Sequence, residues 1–326
     1  MSESTMRQHM NDRFGKVFHY TENPPLPRSL NIELNSSCNQ SCIFCPFHGK
    51  YAINPPKPSV MDFETVKRIL DSAKNLGGMG EKEVGFYLSG EAFLYKKLAE
   101  VIAYAKKVGY EYTFLTTNGA LAFPEQMKAV LDAGLDSIRF SINAVDRETY
   151  KEIHGKDDFD DVLSNIKFMH HYIQEKNLKV ATSLSCVITK KTLGIQDKVK
   201  RIFGEYVEDI LFIPVIVNRL LPDKKFLEEY RLFDEGEDKI NKNYICPMLF
   251  DTMYINADLK VMPCCDAYDS NTFFYDLNED FNLEHAWTSD LYKRYRDIFL
   301  KNADDEGTIC KDCVLRKKGM ESWSLE

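Results

Sequence analysis

The sequence predicts an α/β chain in which parallel strands alternate with helices, followed by a small α+β domain. Three observations carry that reading. Short apolar runs ending in turn residues recur from Ser29 to Val217. Helix-patterned stretches separate them, at Phe63 to Ala73, Leu98 to Val108, Pro124 to Ala133 and Phe159 to Gln174. The stretch after Asn243 has no long apolar helix and instead gathers five of the nine cysteines.

Residues 1–28 are polar and end in Asn23-Pro-Pro-Leu-Pro27, an extended lead-in with no room for a peptide-binding domain. Ser29 to Leu34 alternates like the end of a strand, and Cys38, Cys42 and Cys45 follow it in the spacing C-x3-C-x2-C. Three thiolates on one loop can hold three corners of a cubane 4Fe-4S cluster, leaving the fourth iron open to a ligand that is not protein. A closed structural zinc site wants four ligands, and only His48 stands near; a disulfide with a spare thiol, or chance spacing, would account for the triplet without any metal. Asn54-Pro-Pro-Lys-Pro58 reads as a loop over the end of the fold that carries the cysteines. Four more strand ends follow, at Phe86-Tyr-Leu-Ser-Gly-Glu91, Phe114-Leu-Thr-Thr-Asn-Gly119, Ser137 to Asn143 and Ile210 to Val217, while Cys186 in the strand-like Val180 to Ile188 reads as a small buried hydrophobe.

The cysteine spacing, the strand before it and the aromatic Phe44 before the third cysteine resemble the radical S-adenosylmethionine (SAM) superfamily. The resemblance implies a partial (β/α)6 TIM-like barrel over residues 29–220, with cofactor contacts at the C-terminal ends of its strands. It implies SAM chelated to the open iron and cleaved to methionine and a 5′-deoxyadenosyl radical, with an electron donor such as flavodoxin or ferredoxin. Ser89, Gly90 and Glu91 look like the family's segment for the methionine amino group, where Gly lets the backbone approach the ligand. Thr117 and Asn118 match positions that touch SAM or shape its pocket, Ser141 and Asn143 match positions that reach its ribose or carboxylate, and the backbone at 210–217 matches the adenine site. The plain reading of each is a capped turn or a packed core position.

A second set of ligands lies near the C-terminus. Tyr254 to Pro263 reads as two short strands around a turn, bringing Cys246 and Cys264 to one end, and Cys310-Lys-Asp-Cys313 offers two more thiols. Spacing alone fits a zinc ribbon as well as an iron–sulfur cluster. The region, residues 244–326, resembles the SPASM and twitch domains that hold auxiliary clusters, with Asn282 to Arg296 as their intervening helix. No cysteine follows Cys313, so one auxiliary 4Fe-4S cluster can be built, as in the shorter twitch form. The C-x17-C and C-x2-C spacing is similar to that of the butirosin-pathway amino-cyclitol dehydrogenase. Cys264 follows Val-Met-Pro directly and reads as the ligand, which leaves Cys265 as a thiol able to donate a hydrogen atom.

Composition narrows the function. A net charge of −8 over 326 residues, with a pI near 5.5, argues against a phosphate-tracking nucleic-acid surface. No apolar run approaches membrane-span length, and nine cysteines in metal-like spacings fit a reducing cytoplasm better than a disulfide framework. The strongly charged stretch 221–243 reads as a linker between the two domains. The resemblance implies hydrogen-atom abstraction from a small hydroxylated substrate, sugar or cyclitol-like, and two-electron oxidation of an alcohol with the auxiliary cluster as electron acceptor. Epimerisation with Cys265 as hydrogen donor, and peptide maturation, stand behind oxidation. Arg219, Tyr87 and His48 are the candidate bases, although an arginine stays protonated and is a poor one.

Overall fold

The computed structural model describes residues 19–52, 55–215, 223–231, 241–265 and 272–311, together with 267, 313 and 316. Six parallel strands form the body: β1 (Ser29–Ile32), β2 (Glu83–Phe86), β3 (Thr113–Thr117), β4 (Ser137–Ser141), β5 (Ala181–Ile188) and β6 (Asp209–Pro214). They pair in chain order, each with the next, as a partial barrel requires. β2 begins earlier than its apolar run suggests. Glu83 is accommodated because its carboxylate accepts a hydrogen bond from the Ser29 hydroxyl (2.7 Å), so the strand ends at Phe86 and Ser89-Gly90-Glu91 lies in the loop beyond it.

Helices cross from strand to strand, three of them with a readable start or stop. Asp62 caps Phe63–Leu76 by accepting the Thr65 amide, Pro124 opens Pro124–Asp132, and Asn177 ends Phe159–Lys176 in the left-handed region. Their inner faces bury Val66, Ile69, Leu70, Val101, Ile102, Val130, Val162 and Ile166 against the sheet, forming one continuous core with Leu30, Ile32, Val84, Leu115, Ile138 and Leu184. Helix Arg147–His154 did not stand out in the sequence. Asp146 caps its start, and Gly155 ends it at φ 71°, where a Cβ would overlap the Ser41 hydroxyl.

The C-terminal hairpin is built onto this sheet. β7 (Thr252–Ile255) pairs parallel with β1, while β8 (Lys260–Met262) and β9 (Tyr275–Asp276) continue antiparallel, giving the order β6-β5-β4-β3-β2-β1-β7-β8-β9. Arg28 and Asp251 fix the junction with a bidentate pair at 2.5 and 3.0 Å. The segment from Asn282 to Arg296 is two helices, Leu283–Trp287 and Asp290–Leu300, because the Ser289 hydroxyl accepts the Tyr292 amide and restarts the helix there. Within the stretch read as a linker, helix Lys224–Tyr230 packs Phe226 and Tyr230 on Ile43, Ile153 and Val215.

Gly90 is the tightest backbone approach in the barrel, since a Cβ there would overlap the Asn35 carbonyl oxygen and crowd that of Ser37. Gly90→Ala is expected to cost about 1–3 kcal/mol, read as a lower urea midpoint with an unchanged slope.

Candidate cluster and cofactor site

The loop after β1 is held from below by helix Arg147–His154: the amides of Ser41 and Ile43 donate to the carbonyls of His154 (3.1 Å) and Ile153 (2.9 Å). Within the loop the Cys45 amide closes a turn on the Cys42 carbonyl at 2.9 Å. Every sulfur of the triplet meets an N–H group. Gln40 N–H (3.5 Å) and Asn118 Nδ2 (3.8 Å) face Cys38 Sγ, His48 N–H (3.4 Å) faces Cys45 Sγ, and His154 Nδ1 lies 3.4 Å from Cys42 Sγ.

Burial pushes the Cys38 thiol up to about 12. It also raises Cys42 well above its usual value, with added repulsion from Cys45 and Cys38, and it raises Cys45. Three half-buried thiols, two of them further opposed in ionising by their neighbours and each facing N–H groups, suit thiolates whose charge a metal cluster offsets. Among the described residues no three His, Cys, Asp or Glu side chains converge on one metal-ion position; in a cubane each cysteine takes its own iron.

Around the triplet, Glu91 gathers the strand ends. Its carboxylate accepts from the Thr117 hydroxyl (2.6 Å), the Phe93 amide (3.0 Å) and the Asn118 amide (2.8 Å), and its carbonyl accepts from Asn35 Nδ2 (2.9 Å). Burial raises its pKa against those three donors. Most of the carboxylate's acceptor capacity is therefore spent inside the protein, joining β2 to β3, and Thr117 is spent with it. Asn118 joins β3 to the cysteine loop through Asn39 Oδ1 at 2.8 Å. Ser141 is half-buried at the end of β4, and its hydroxyl has no partner among the described residues. Asn143 is 2% exposed, and its Oδ1 accepts the Val187 amide at 2.6 Å while its amide end lies 3.3 Å from His154 Nε2. Both ends of that side chain are thus engaged within the protein. Phe44 packs toward Ile43, Ile153 and Phe226, and Cys186 is fully buried. Arg219 lies outside the described residues.

Three partners escaped the sequence. Glu33, 1% exposed just past β1, accepts from the Ser89 amide (2.9 Å) and hydroxyl (2.5 Å) with one oxygen and from the Ala257 amide (3.0 Å) with the other. It ties the Ser89-Gly90-Glu91 segment to the turn of the C-terminal hairpin. Gln40 and His154 form the bed of Cys42, and burial depresses the His154 imidazole to about 3. A polar residue within the apolar run that ends β1 was the signal for Glu33; nothing local marks Gln40 or His154.

In the C-terminal region Cys246, Cys310 and Cys313 are mutual neighbours. Burial pushes Cys246 up to about 11 with Cys313 adding repulsion, and burial raises Cys310 with Cys246 and Cys313 adding to it and Arg316 opposing. The amides of Met248 and Leu249 and the Tyr244 side chain hydrogen-bond to Cys246, and Arg316 Nη1 donates to the Cys310 carbonyl at 2.8 Å. Cys264 lies two residues past β8, near Tyr292; with Cys265 it packs on a small cluster of Tyr254, Met262 and Ala267 that also takes in Tyr87 and Leu88 from just past β2. No helix among the described residues is long and apolar enough to cross a membrane.

Comparison with known proteins agrees with this geometry. Residues 32–192 match the Radical SAM superfamily model, and residues 246–314 match SPASM, an iron–sulfur cluster-binding domain, which favours iron over zinc for the second site. A probable GTP 3′,8-cyclase of Saccharolobus islandicus is 37% identical over 158 residues, 48% of this chain and 46% of that protein; the chain spans about half the length of the curated relatives it matches. Among solved structures, BtrN in complex with AdoMet and 2-DOIA is similar in fold at TM-score 0.58 and 16% identity, over 90% of this chain and 94% of BtrN. Streptococcus suis SuiB bound to precursor peptide SuiA is similar at TM-score 0.64 and 16% identity, over 95% of this chain and 73% of SuiB. The chain belongs to the radical SAM superfamily, with a SPASM-type iron–sulfur domain built onto the first strand of its barrel.

Proposed function

We propose that the protein is a radical SAM oxidoreductase that removes two electrons and two protons from an alcohol of a small sugar or cyclitol-like substrate. When bound, SAM and the cluster on Cys38, Cys42 and Cys45 supply a hydrogen-abstracting radical, and the cluster on Cys246, Cys264, Cys310 and Cys313 supplies an electron acceptor. The observation that carries this reading is the adjacency of the two sites. Cys264 and Cys265 pack in one cluster with Tyr87 and Leu88, directly before Ser89-Gly90-Glu91, and one carboxylate, Glu33, is bonded to Ser89 and to the hairpin turn at Ala257. A substrate held at Ser89 would therefore lie between the cysteine loop, whose Ser37 carbonyl accepts the Glu91 amide, and the small cluster on which Cys264 and Cys265 pack.

The protein's own work is to orient the alcohol and accept its proton. His48 suits that role: it lies by the backbone of Ser89 and Ser36, its Nε2 has no hydrogen-bond partner of normal geometry among the described residues, and burial lowers its pKa against those backbone groups, so the ring is neutral and able to take a proton. Tyr87, packed on the same small cluster as Cys265, is the second candidate; Arg219 would fit a substrate-binding role better than a base, since a guanidinium stays charged. The test is anaerobic incubation of the reconstituted protein with a panel of sugars and amino-cyclitols. Deoxyadenosine that rises only with the substrate, and a product lighter by two hydrogens, support oxidation.

The place of Cys265 favours a second reading, epimerisation, in which its thiol returns a hydrogen atom to the substrate carbon. Cys265→Ala separates the two: an oxidase keeps its turnover within about twofold, whereas an epimerase stalls at one deoxyadenosine per chain and forms no product of unchanged mass.

A further inference from the structure

His154 closes the helix beneath the cysteine loop, is fully buried, and stacks on Tyr150 with ring centroids 4.1 Å apart. Its Nε2 accepts the Asn143 backbone N–H at 3.2 Å. The Asn143 side chain meets the same nitrogen at 3.3 Å, and because its Oδ1 is held by the Val187 amide, the end facing the ring is the Nδ2 donor. Two donors on Nε2 leave that nitrogen bare, so the ring's one proton sits on Nδ1. Nδ1 has two acceptors in reach, Gln40 Oε1 at 2.9 Å and Cys42 Sγ at 3.4 Å. Gln40 is fixed in turn, its Nε2 donating to the Tyr150 hydroxyl at 2.7 Å, which keeps Oε1 toward the histidine.

We propose that His154 is a positioning residue for the SAM-binding cluster, its Nδ1–H shared between Gln40 and the Cys42 sulfur so that it raises the cluster's reduction potential. The inference rests on the reading of Cys38, Cys42 and Cys45 as cluster ligands. As a thiol, Cys42 can itself donate toward Gln40 Oε1 (3.9 Å); as a ligating thiolate it can only accept, and His154 is its side-chain donor among the described residues. A hydrogen bond to a ligating sulfur stabilises the reduced, more negative cluster more than the oxidised one. Cys38 and Cys45 each receive a backbone amide, which side-chain truncation leaves in place, and Cys38 a long contact from Asn118 Nδ2 besides. At Cys42 the donor belongs to a side chain, and its strength is set by how much of the proton Gln40 takes.

The test is redox titration of the reconstituted holoprotein, following by electron paramagnetic resonance the reduced signal that changes when SAM is added. His154→Phe keeps the stacked ring without the donor and is expected to lower the midpoint by about tenfold in the reduction equilibrium, about 59 mV for one electron. His154→Gln, which can accept from Asn143 and donate to Cys42, is expected to recover most of that shift. Gln40→Leu removes the competing acceptor and is expected to move the midpoint the other way, upward, a sign that general loosening of the loop would not produce. Midpoints unchanged in all three variants, or shifted the same way in all three, overturn the inference; should His154→Phe not fold, a Gln40→Leu midpoint at or below that of the wild type overturns it. A wild-type protein with no SAM-responsive signal fails the ligand reading itself, and is thereby distinguished.

Discussion

Replacing Cys38, Cys42 and Cys45 together with alanine is expected to reduce the iron of the anaerobically reconstituted chain from about eight to about four atoms and to abolish reductive SAM cleavage. The loss is complete because the three thiols share one loop and hold one group; with all three gone, nothing keeps a cubane in place. The fold should survive, since the loop is also fastened through the Ser41 and Ile43 amides and through Asn118, none of which needs the sulfurs. Iron counting, deoxyadenosine formation with dithionite and a thermal melt decide it. If the variant still cleaved SAM, the assignment of this loop would be wrong.

The second large effect belongs to the other end of the chain. Cys310→Ala combined with Cys313→Ala is expected to leave about four irons and to preserve SAM cleavage while abolishing formation of the oxidised product. These cysteines stand with Cys246 as a mutually repelling group, Cys246 and Cys310 buried and Cys313 half-buried, so the pair cannot be removed without emptying the site. A wild-type chain with about four irons and about one zinc would make the site structural and would remove the electron acceptor on which oxidation depends. Product formation by the double variant would have the same consequence.

The periodic elements were legible because periodicity is what sequence shows directly: the helices at Phe63, Leu98, Pro124 and Phe159 start within one residue of where their patterns begin. The hairpin β7–β8 was legible from its turn. Helix Arg147–His154 passed unread, although Asp146 and Gly155 are ordinary start and stop signals, because its eight residues carry little apolar surface besides the tyrosine, isoleucine and histidine it buries. The ligand sulfurs could be named from spacing, but their supports could not. Glu33, Gln40 and His154 act through partners more than fifty residues away in the chain, and no local pattern encodes such pairs. Asn143 and Glu91 show the reverse: their positions were legible, yet the hydrogen bonds that occupy them arise only when β3, β5 and the helix ending at His154 come together.

The pairing of β1 with β7 also orders the events of synthesis. β1 leaves the ribosome ahead of the other strands described, and one of its two edges finds its partner only when residues 252–255 arrive, more than two hundred positions later. Until then that edge presents unpaired amides and carbonyls beside buried Leu30 and Ile32, the kind of surface that recruits other strands. A nascent barrel is therefore vulnerable on the side where its iron–sulfur appendage will attach. Shortening the chain before β7 would do more than delete a cluster: it would leave the catalytic half with an open seam and a tendency to self-associate.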